Sequence, residues 1–290
     1  MIKTISTPQL SVSVKDAGAE LCSIKGPGGM EYLWQADPAV WGRHAPILFP
    51  IVGKLVKDRY LHEGKSYEMK QHGFARDKQF ELIEATEASL SYRLQADSDT
   101  LRHYPFNFSL VRHYRLTSNT VAIVPEVTNT GAGVMPFSIG EHPGFALNWG
   151  ATDKVADYAL QFEKAERLNI VLLNEDHLLS AKTERLLTNE RVLPLRNDLF
   201  DRDALIFLKI RSRAVALCSR RHSRRLTVEF PEYPCLGIWA KPGAPFVCIE
   251  PWFGHADTES HNGQLEHKAG IIKLDPGQSF SCVWRAVVEE

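Results

Sequence analysis

Three short stretches set ionisable side chains beside residues that bend or stiffen a chain: QHGFARDKQF at 71–80, SIGEHPGF at 138–145 and VCIEPWFGHADT at 247–258. That combination suits loops that hold chemistry over a rigid scaffold. Glu250 follows the apolar run PFVCI and precedes Pro251 and Trp252. A carboxylate leaving a core strand beside an indole is pushed by desolvation toward its neutral form, which can make it a base near neutrality. The plainer reading is a salt-bridged structural Glu. His142, between Glu141 and Pro143, is either a hydrogen-bonded structural histidine or a group that gives and takes a proton near pH 7, with Glu250 as its candidate partner. His72 and Arg76 can donate hydrogen bonds to hydroxyls, and the planar guanidinium can also clamp a carboxylate or phosphate. Asp77 is expected to hold Arg76 in a local ion pair.

Other chemistries lack their anchors. There is no GxSxG elbow, no Walker A loop, and no GxGxxG that opens a helix after a strand. His72, His142, Glu250 and His255 include metal-ligand types, but their spacing matches no compact ligand motif, so no metal is expected.

The elements that must position these residues have a period of two. In PFNFSLVRHYRL, Phe106, Phe108, Leu110, Tyr114 and Leu116 share one face, and Asn107, Ser109, His113 and Arg115 the other. RRLTVEF sets Leu226, Val228 and Phe230 against Arg225, Thr227 and Glu229, and SFSCVWRAV sets Phe280, Cys282 and Trp284 against Ser281 and Arg285. These patterns predict half-buried antiparallel strands. GPGG at 26–29, TNTGAG at 128–133, KPGAP at 241–245 and DPGQ at 275–278 mark the turns between strands. Many short strands with short polar breaks predict an all-β sandwich or barrel. Short helical turns are expected only around 150–165 and 198–203. With no repeat and no linker, residues 1–290 are expected to form a single domain.

Lys+Arg 34 against Asp+Glu 35 leaves a net charge of -1, so no global field draws the chain to nucleic acid or an anionic membrane. The basic run SRRHSRR at 219–225 reads as a solvated hairpin tip, with a phosphate-binding patch as the alternative. Five scattered cysteines form no CxxC pair, which fits reduced thiols, and neither a signal peptide nor an 18-residue apolar run is present. A cytoplasmic location is therefore expected.

FPIVGKL at 49–55, QHGFARDKQFEL at 71–82, IGEHPGFAL at 139–147, LGIWAKPGAPFVCIEPWFGHAD at 236–257 and HKAGIIKLDPGQSFSCVW at 267–284 together resemble the aldose 1-epimerase (galactose mutarotase) family, and within it the LacX-like branch. HGFAR, EHPGF and CIEPW at these separations are specific, and the likeness spans nearly the whole chain. It implies a large antiparallel β-supersandwich and interconversion of the α and β anomers of an aldohexose. His142 would then be the general acid and Glu250 the general base, with no metal and no cofactor. The likeness also gives His72 a hydrogen bond to the sugar, Lys54 or Arg76 the place of a sugar-binding Arg, and Asp203, with Asp201 close behind, the place of a sugar-binding Asp. Trp239 or Trp252 would stack on the sugar. A Lys at position 54 is a point charge rather than a fork, so the hydrogen-bond pattern to the sugar would differ there. The expected partner is a small sugar, without nucleic acid or membrane, and the expected assembly a monomer or weak homodimer. A hexose 6-phosphate substrate and a non-catalytic carbohydrate-binding protein are the alternatives. Glycoside hydrolysis would need a second catalytic carboxylate that the sequence does not supply.

Overall fold

The computed structural model describes residues 1–290, and its strands follow the period-two stretches. Phe108–Thr117 buries Phe108, Leu110, Tyr114 and Leu116 on one face, and it pairs antiparallel along its whole length with Thr120–Asn129. Alternation therefore turns one side of this ribbon to the core and leaves the other partly open to water. The face also buries a charge that the apolar pattern does not reveal: Arg112, wholly inaccessible, lies between Leu110 and Tyr114.

Ten strands form the larger sheet. Its main path runs Glu190–Pro194, Tyr158–Glu166, Ala214–Ser219, Arg225–Glu229, Trp284–Glu289, Thr120–Asn129, Phe108–Thr117, Ser89–Gln95, Glu81–Ala85, and Ser279–Ser281 also pairs with Thr120–Asn129. The eight-stranded sheet runs Leu179–Arg185, Asn169–Leu173, Leu205–Phe207, Cys235–Trp239, Phe246–Phe253, Ile139–Glu141, Ile47–Leu48, with Gly144–Ala146 added to Phe246–Phe253. A three-stranded N-terminal sheet, the hairpin of Arg59–His62 with Lys65–Glu68 and a two-stranded pairing of Met135–Phe137 with Ile272–Leu274 complete the strands. Every pairing between named strands is antiparallel. Both large sheets feed one core of 66 buried residues, reaching from Ile5 to Val288. This is the antiparallel β-supersandwich expected from the sequence.

Two expectations need correction. Of the helical turns expected at 150–165, only Val155–Asp157 forms one, a single 3-10 turn. Tyr158–Glu166 is instead a strand that buries Tyr158, Leu160 and Phe162 at every second position, a period the flanking polar residues obscure. Residues 198–203 form turns rather than a helix. The basic run is a hairpin tip between Ala214–Ser219 and Arg225–Glu229, as expected. Its charges are matched locally: Arg220 meets Asp157 at 2.9 Å and His222 meets Asp153 at 3.0 Å. No helix is long and apolar enough to cross a membrane.

Candidate active site

The strand Phe246–Phe253 supplies the centre of the site. Val247 and Ile249 enter the main core, so alternation turns Cys248, Glu250 and Trp252 to the opposite face of the eight-stranded sheet. On the neighbouring strand Ile139–Glu141 the same rule sends Ile139 and Glu141 inward, and His142, one residue past its end, lands beside Glu250. A main-chain hydrogen bond from His142 N to the Pro46 carbonyl, 3.1 Å, fixes the backbone there. The result is a contact of 3.2 Å between His142 Nε2 and Glu250 Oε2, across 108 residues of sequence.

A cavity of about 860 Å³ opens over this pair. Its lining includes His142, Glu250, His72, Arg76, Lys54, Asp203, Asp201, Trp239 and Trp252, so every site residue expected from the sequence meets on one space. His255 does not line it; its Nδ1 faces the Ala256 carbonyl at 2.8 Å.

The HGFAR segment reaches the cavity by docking on Phe49. Phe74 N and Ala75 N both donate to the Phe49 carbonyl, at 3.0 and 3.1 Å. Gly73, at φ +71°, passes so close that a Cβ would lie 2.2 Å from that oxygen, so glycine is required here. His72 is locked from both sides: its N–H donates to the Gly53 carbonyl, and Gly53 N–H donates to His72 Nδ1 at 3.1 Å. With Nδ1 accepting, a neutral His72 carries its proton on Nε2, ready to donate. Burial, then the His142, Arg76 and Arg43 charges, hold its pKa well below the usual histidine value.

Arg76 keeps the expected ion pair with Asp77 only loosely. Its Nη2 donates to the Gln71 carbonyl at 2.7 Å, its Nε is 4.0 Å from Asp77, and Asp77 takes its short contact, 2.8 Å, from Arg43 instead. Burial and the nearby Arg43 charge pull the Arg76 pKa down to about 10. Lys54 reaches Asp58 at 3.8 Å. Asp203 accepts from Ala204 N at 2.7 Å and meets His177 Nδ1 at 2.7 Å.

Trp252 lies over two glycines. A Cβ on Gly237 would stand 2.4 Å from its Cη2 and Cζ2, and one on Gly140 would stand 2.7 Å from its Cδ1. The indole therefore packs onto the sheet only because its neighbours lack side chains, and its other side lines the cavity. Trp41 and Trp239 flank His142, with ring centroids 5.1 and 5.8 Å from the imidazole.

These surroundings disfavour charge on the pair. Burial lowers His142 to about 3, helped by the Arg76 charge, and raises Glu250 well above the carboxylate range, helped by Asp203. Trp252 Nε1 opposes the rise in Glu250 without closing a hydrogen bond of normal geometry. At 3.2 Å a bare Nε2 and a bare carboxylate would set lone pair against lone pair, so a single proton on the pair eases the contact. Groups this close do not titrate independently, so their protons belong to the pair.

Sequence reasoning missed Trp41, Cys248, His177 and Arg202. Trp41, His177 and Arg202 come from loops with no recognisable spacing. Cys248 could have been found, because in CIE it stands two residues before Glu250 on the same strand face. His142, Cys248 and Glu250 offer ligand atoms within 4.8 Å of one another, a different set from the four weighed on sequence alone.

Fold and site together define a sugar-isomerase class. A family model described as aldose 1-epimerase matches residues 1–283, and the chain belongs to that family. It is 34% identical over 276 residues, 92% of both chains, to the LacX proteins, plasmid and chromosomal, of Lactococcus lactis subsp. lactis. Two solved structures are also similar. A galactose mutarotase related enzyme from Lactobacillus acidophilus has a TM-score of 0.96 at 34% identity, covering 100% of this chain and 98% of that one. A galactose mutarotase-like protein from Lactobacillus casei ATCC 334 has a TM-score of 0.94 at 29% identity, with 100% of both chains covered. The protein is accordingly an isomerase of the aldose epimerase kind.

Proposed function

We propose that the protein interconverts the α and β anomers of a free aldohexose, with Glu250 as general base and His142 as general acid, the 290 residues working as one unit. The observation that carries this reading is the 3.2 Å contact between His142 and Glu250 in the wall of a cavity wide enough for a sugar.

Ring opening of a hemiacetal needs a proton removed from the C1 hydroxyl and another delivered to the ring oxygen O5. Those two oxygens share one carbon, so an acid and a base standing side by side can serve both. In the arrangement with imidazolium and carboxylate, Glu250 takes the hydroxyl proton and His142 gives its Nε2 proton to O5. The pair is then neutral imidazole and carboxylic acid, and the sugar is an open aldehyde. Burial favours that uncharged arrangement, so the site supports the ring-opened sugar. Rotation about C1–C2 followed by the reverse transfers closes the ring on the other face. Proton transfer through the coupled pair contributes about 10²–10⁴-fold, without a covalent intermediate.

In this reading His72 Nε2–H hydrogen-bonds the sugar, Trp252 packs on its C–H face, and Arg76, Lys54 and Asp203 bind hydroxyls, a reading supported by their lining one cavity. The cavity lining balances the cations Lys54, Arg76 and Arg202 with the carboxylates Glu175, Asp201, Asp203 and Glu250. This near-balance favours a neutral sugar over a hexose 6-phosphate, which needs surplus positive charge. Anomeric exchange followed by saturation-transfer NMR across pentoses, hexoses, deoxy sugars and hexose 6-phosphates tests the proposal. We expect exchange above the buffer rate with neutral hexoses. Activity confined to the phosphates would transfer the function to that class, and binding without exchange would make the protein a carbohydrate-binding one.

A further inference from the structure

Cys248 has no part in the chemistry just described, yet it is placed against both groups that do. It stands two residues before Glu250 on the same strand, its side chain turned to the same face, and it is wholly buried. Its sulfur, a ring nitrogen of His142 and a Glu250 oxygen all lie within 4.8 Å of one another. A second observation points to the same spot. Glu250 is 1% exposed, and no donor, Trp252 Nε1 included, reaches its buried Oε1 in normal hydrogen-bond geometry. A buried carboxylate oxygen without a well-placed donor is an unmet demand for a proton or a cation.

Thiolate, imidazole and carboxylate are the three side-chain ligand types of zinc, and three protein ligands with one open position make an accessible rather than a closed site. We propose that a thiophilic divalent cation of the zinc type binds His142, Cys248 and Glu250, its fourth position turned to the cavity, and shuts the enzyme off reversibly. This inference deepens the mutarotase reading and rests on it for its inhibitory half alone. A tetrahedral ion with bonds of about 2.0–2.3 Å holds its ligand atoms roughly 3.5 Å apart. The His142–Glu250 contact of 3.2 Å already suits it, and the sulfur has to close the remainder through side-chain rotation. Binding releases the thiol proton, and the carboxyl proton where Glu250 carries one, to solvent. The thiolate and carboxylate then offset the two charges of the ion beside a neutral imidazole. Inhibition follows directly, because the bound cation occupies the lone pairs on His142 and Glu250 that proton transfer needs.

The test uses the full chain, stripped by chelator and with its thiols kept reduced by a phosphine. Cobalt(II) is titrated in while the near-ultraviolet thiolate-to-cobalt charge-transfer absorption is followed, and zinc is titrated into the anomerisation assay. We expect a saturable charge-transfer band at one ion per chain, zinc inhibition reversed by EDTA, and, in Cys248→Ala, loss of the band with about 10- to 100-fold weaker inhibition. Absence of the band in the unmutated protein overturns the proposal, whether or not Cys248→Ala folds. So does a band without inhibition, or zinc inhibition unchanged in a folded Cys248→Ala. The cobalt band does not depend on turnover, so a chain that binds cobalt through Cys248 yet anomerises no sugar would refute the mutarotase reading and leave the metal site standing.

Discussion

A proton shared by His142 and Glu250, as the proposed function has it, makes a prediction that independent catalytic groups would not. Substituting Glu250→Gln leaves His142 in surroundings that hold it near a pKa of 3, where it carries no proton to give at neutral pH. Substituting His142→Asn leaves Glu250 with its pKa raised by burial, where it keeps its proton and cannot act as base. Each single change therefore disables both halves of the transfer. Taking about 10³-fold for the pair acting as one unit, each single variant should lose roughly 4 kcal/mol of transition-state stabilisation, at 1.36 kcal/mol per decade. The double variant should lose about the same, so the coupling energy should also be about 4 kcal/mol. The assay is anomerisation of one hexose by polarimetry and saturation-transfer NMR, at enzyme concentrations that keep each variant above the buffer rate. Thermal unfolding serves as a control, and Glu250→Gln should change stability by no more than about 1 kcal/mol, since it removes a buried ionisable group whose Oε1 has no partner. Losses that multiply to about 10⁶ in the double variant would refute the shared proton, because they would show two groups acting alone.

Two further expectations follow from the same geometry. The pair works while it holds one proton, so activity should fall on the acid side only as the second proton binds near His142's value of about 3, and on the alkaline side only above Glu250's raised value. Buffer-corrected kcat/KM from about pH 4 to 9 should therefore lack a break near 6.5, and an acid limb at 6.5 would mean a solvated histidine. Gly237→Ala brings a Cβ to 2.4 Å from the Trp252 ring, which must rise about 1 Å toward the cavity to regain ordinary contact. It should raise KM by about tenfold or more and cost about 1–3 kcal/mol in thermal unfolding, whereas an unchanged KM would remove Trp252 from the sugar site.

The strands were legible because burial on one side of a sheet writes a period of two into the residues, as in Phe108, Leu110, Tyr114 and Leu116. The same logic fails at Arg112, where a charge occupies a core position, and at Tyr158–Glu166, where polar neighbours mask the alternation. In the site, stretches of unusual composition announced His72, His142 and Glu250, although the one expected as a loop around Glu250 is the strand Phe246–Phe253, and the cavity gathers all three. Partnerships within the site were less legible. Asp77 is adjacent to Arg76 in sequence, yet its close contact is Arg43, because a 3-10 turn over Ala75–Asp77 points neighbouring side chains apart. Trp41 reaches His142 through a loop whose path depends on Glu20, which takes hydrogen bonds from His44 N at 2.7 Å and Ala45 N at 3.0 Å. No local pattern encodes a contact of that range.

Behind the site, Arg112 Nη2 donates to Glu141 Oε2 at 2.5 Å, both side chains wholly buried, while Arg112 Nη1 donates to the Ala19 carbonyl at 2.8 Å. As a source of stability such a pair is poor: desolvation offsets its attraction, and well-packed apolar residues often do as well. Burial does outweigh the Arg112 charge at Glu141, whose pKa is lifted to about 7. Its location gives a better account. Arg112 belongs to the ten-stranded sheet and Glu141 to the eight-stranded one, and Glu141 is the residue before His142. Apolar contacts between the sheets would tolerate small slippage, because they are not directional. A short charge-assisted hydrogen bond does not tolerate it. The pair therefore ties the sheets together at the position where a shift of about 1 Å would part His142 from Glu250 and cost about 10²-fold in rate.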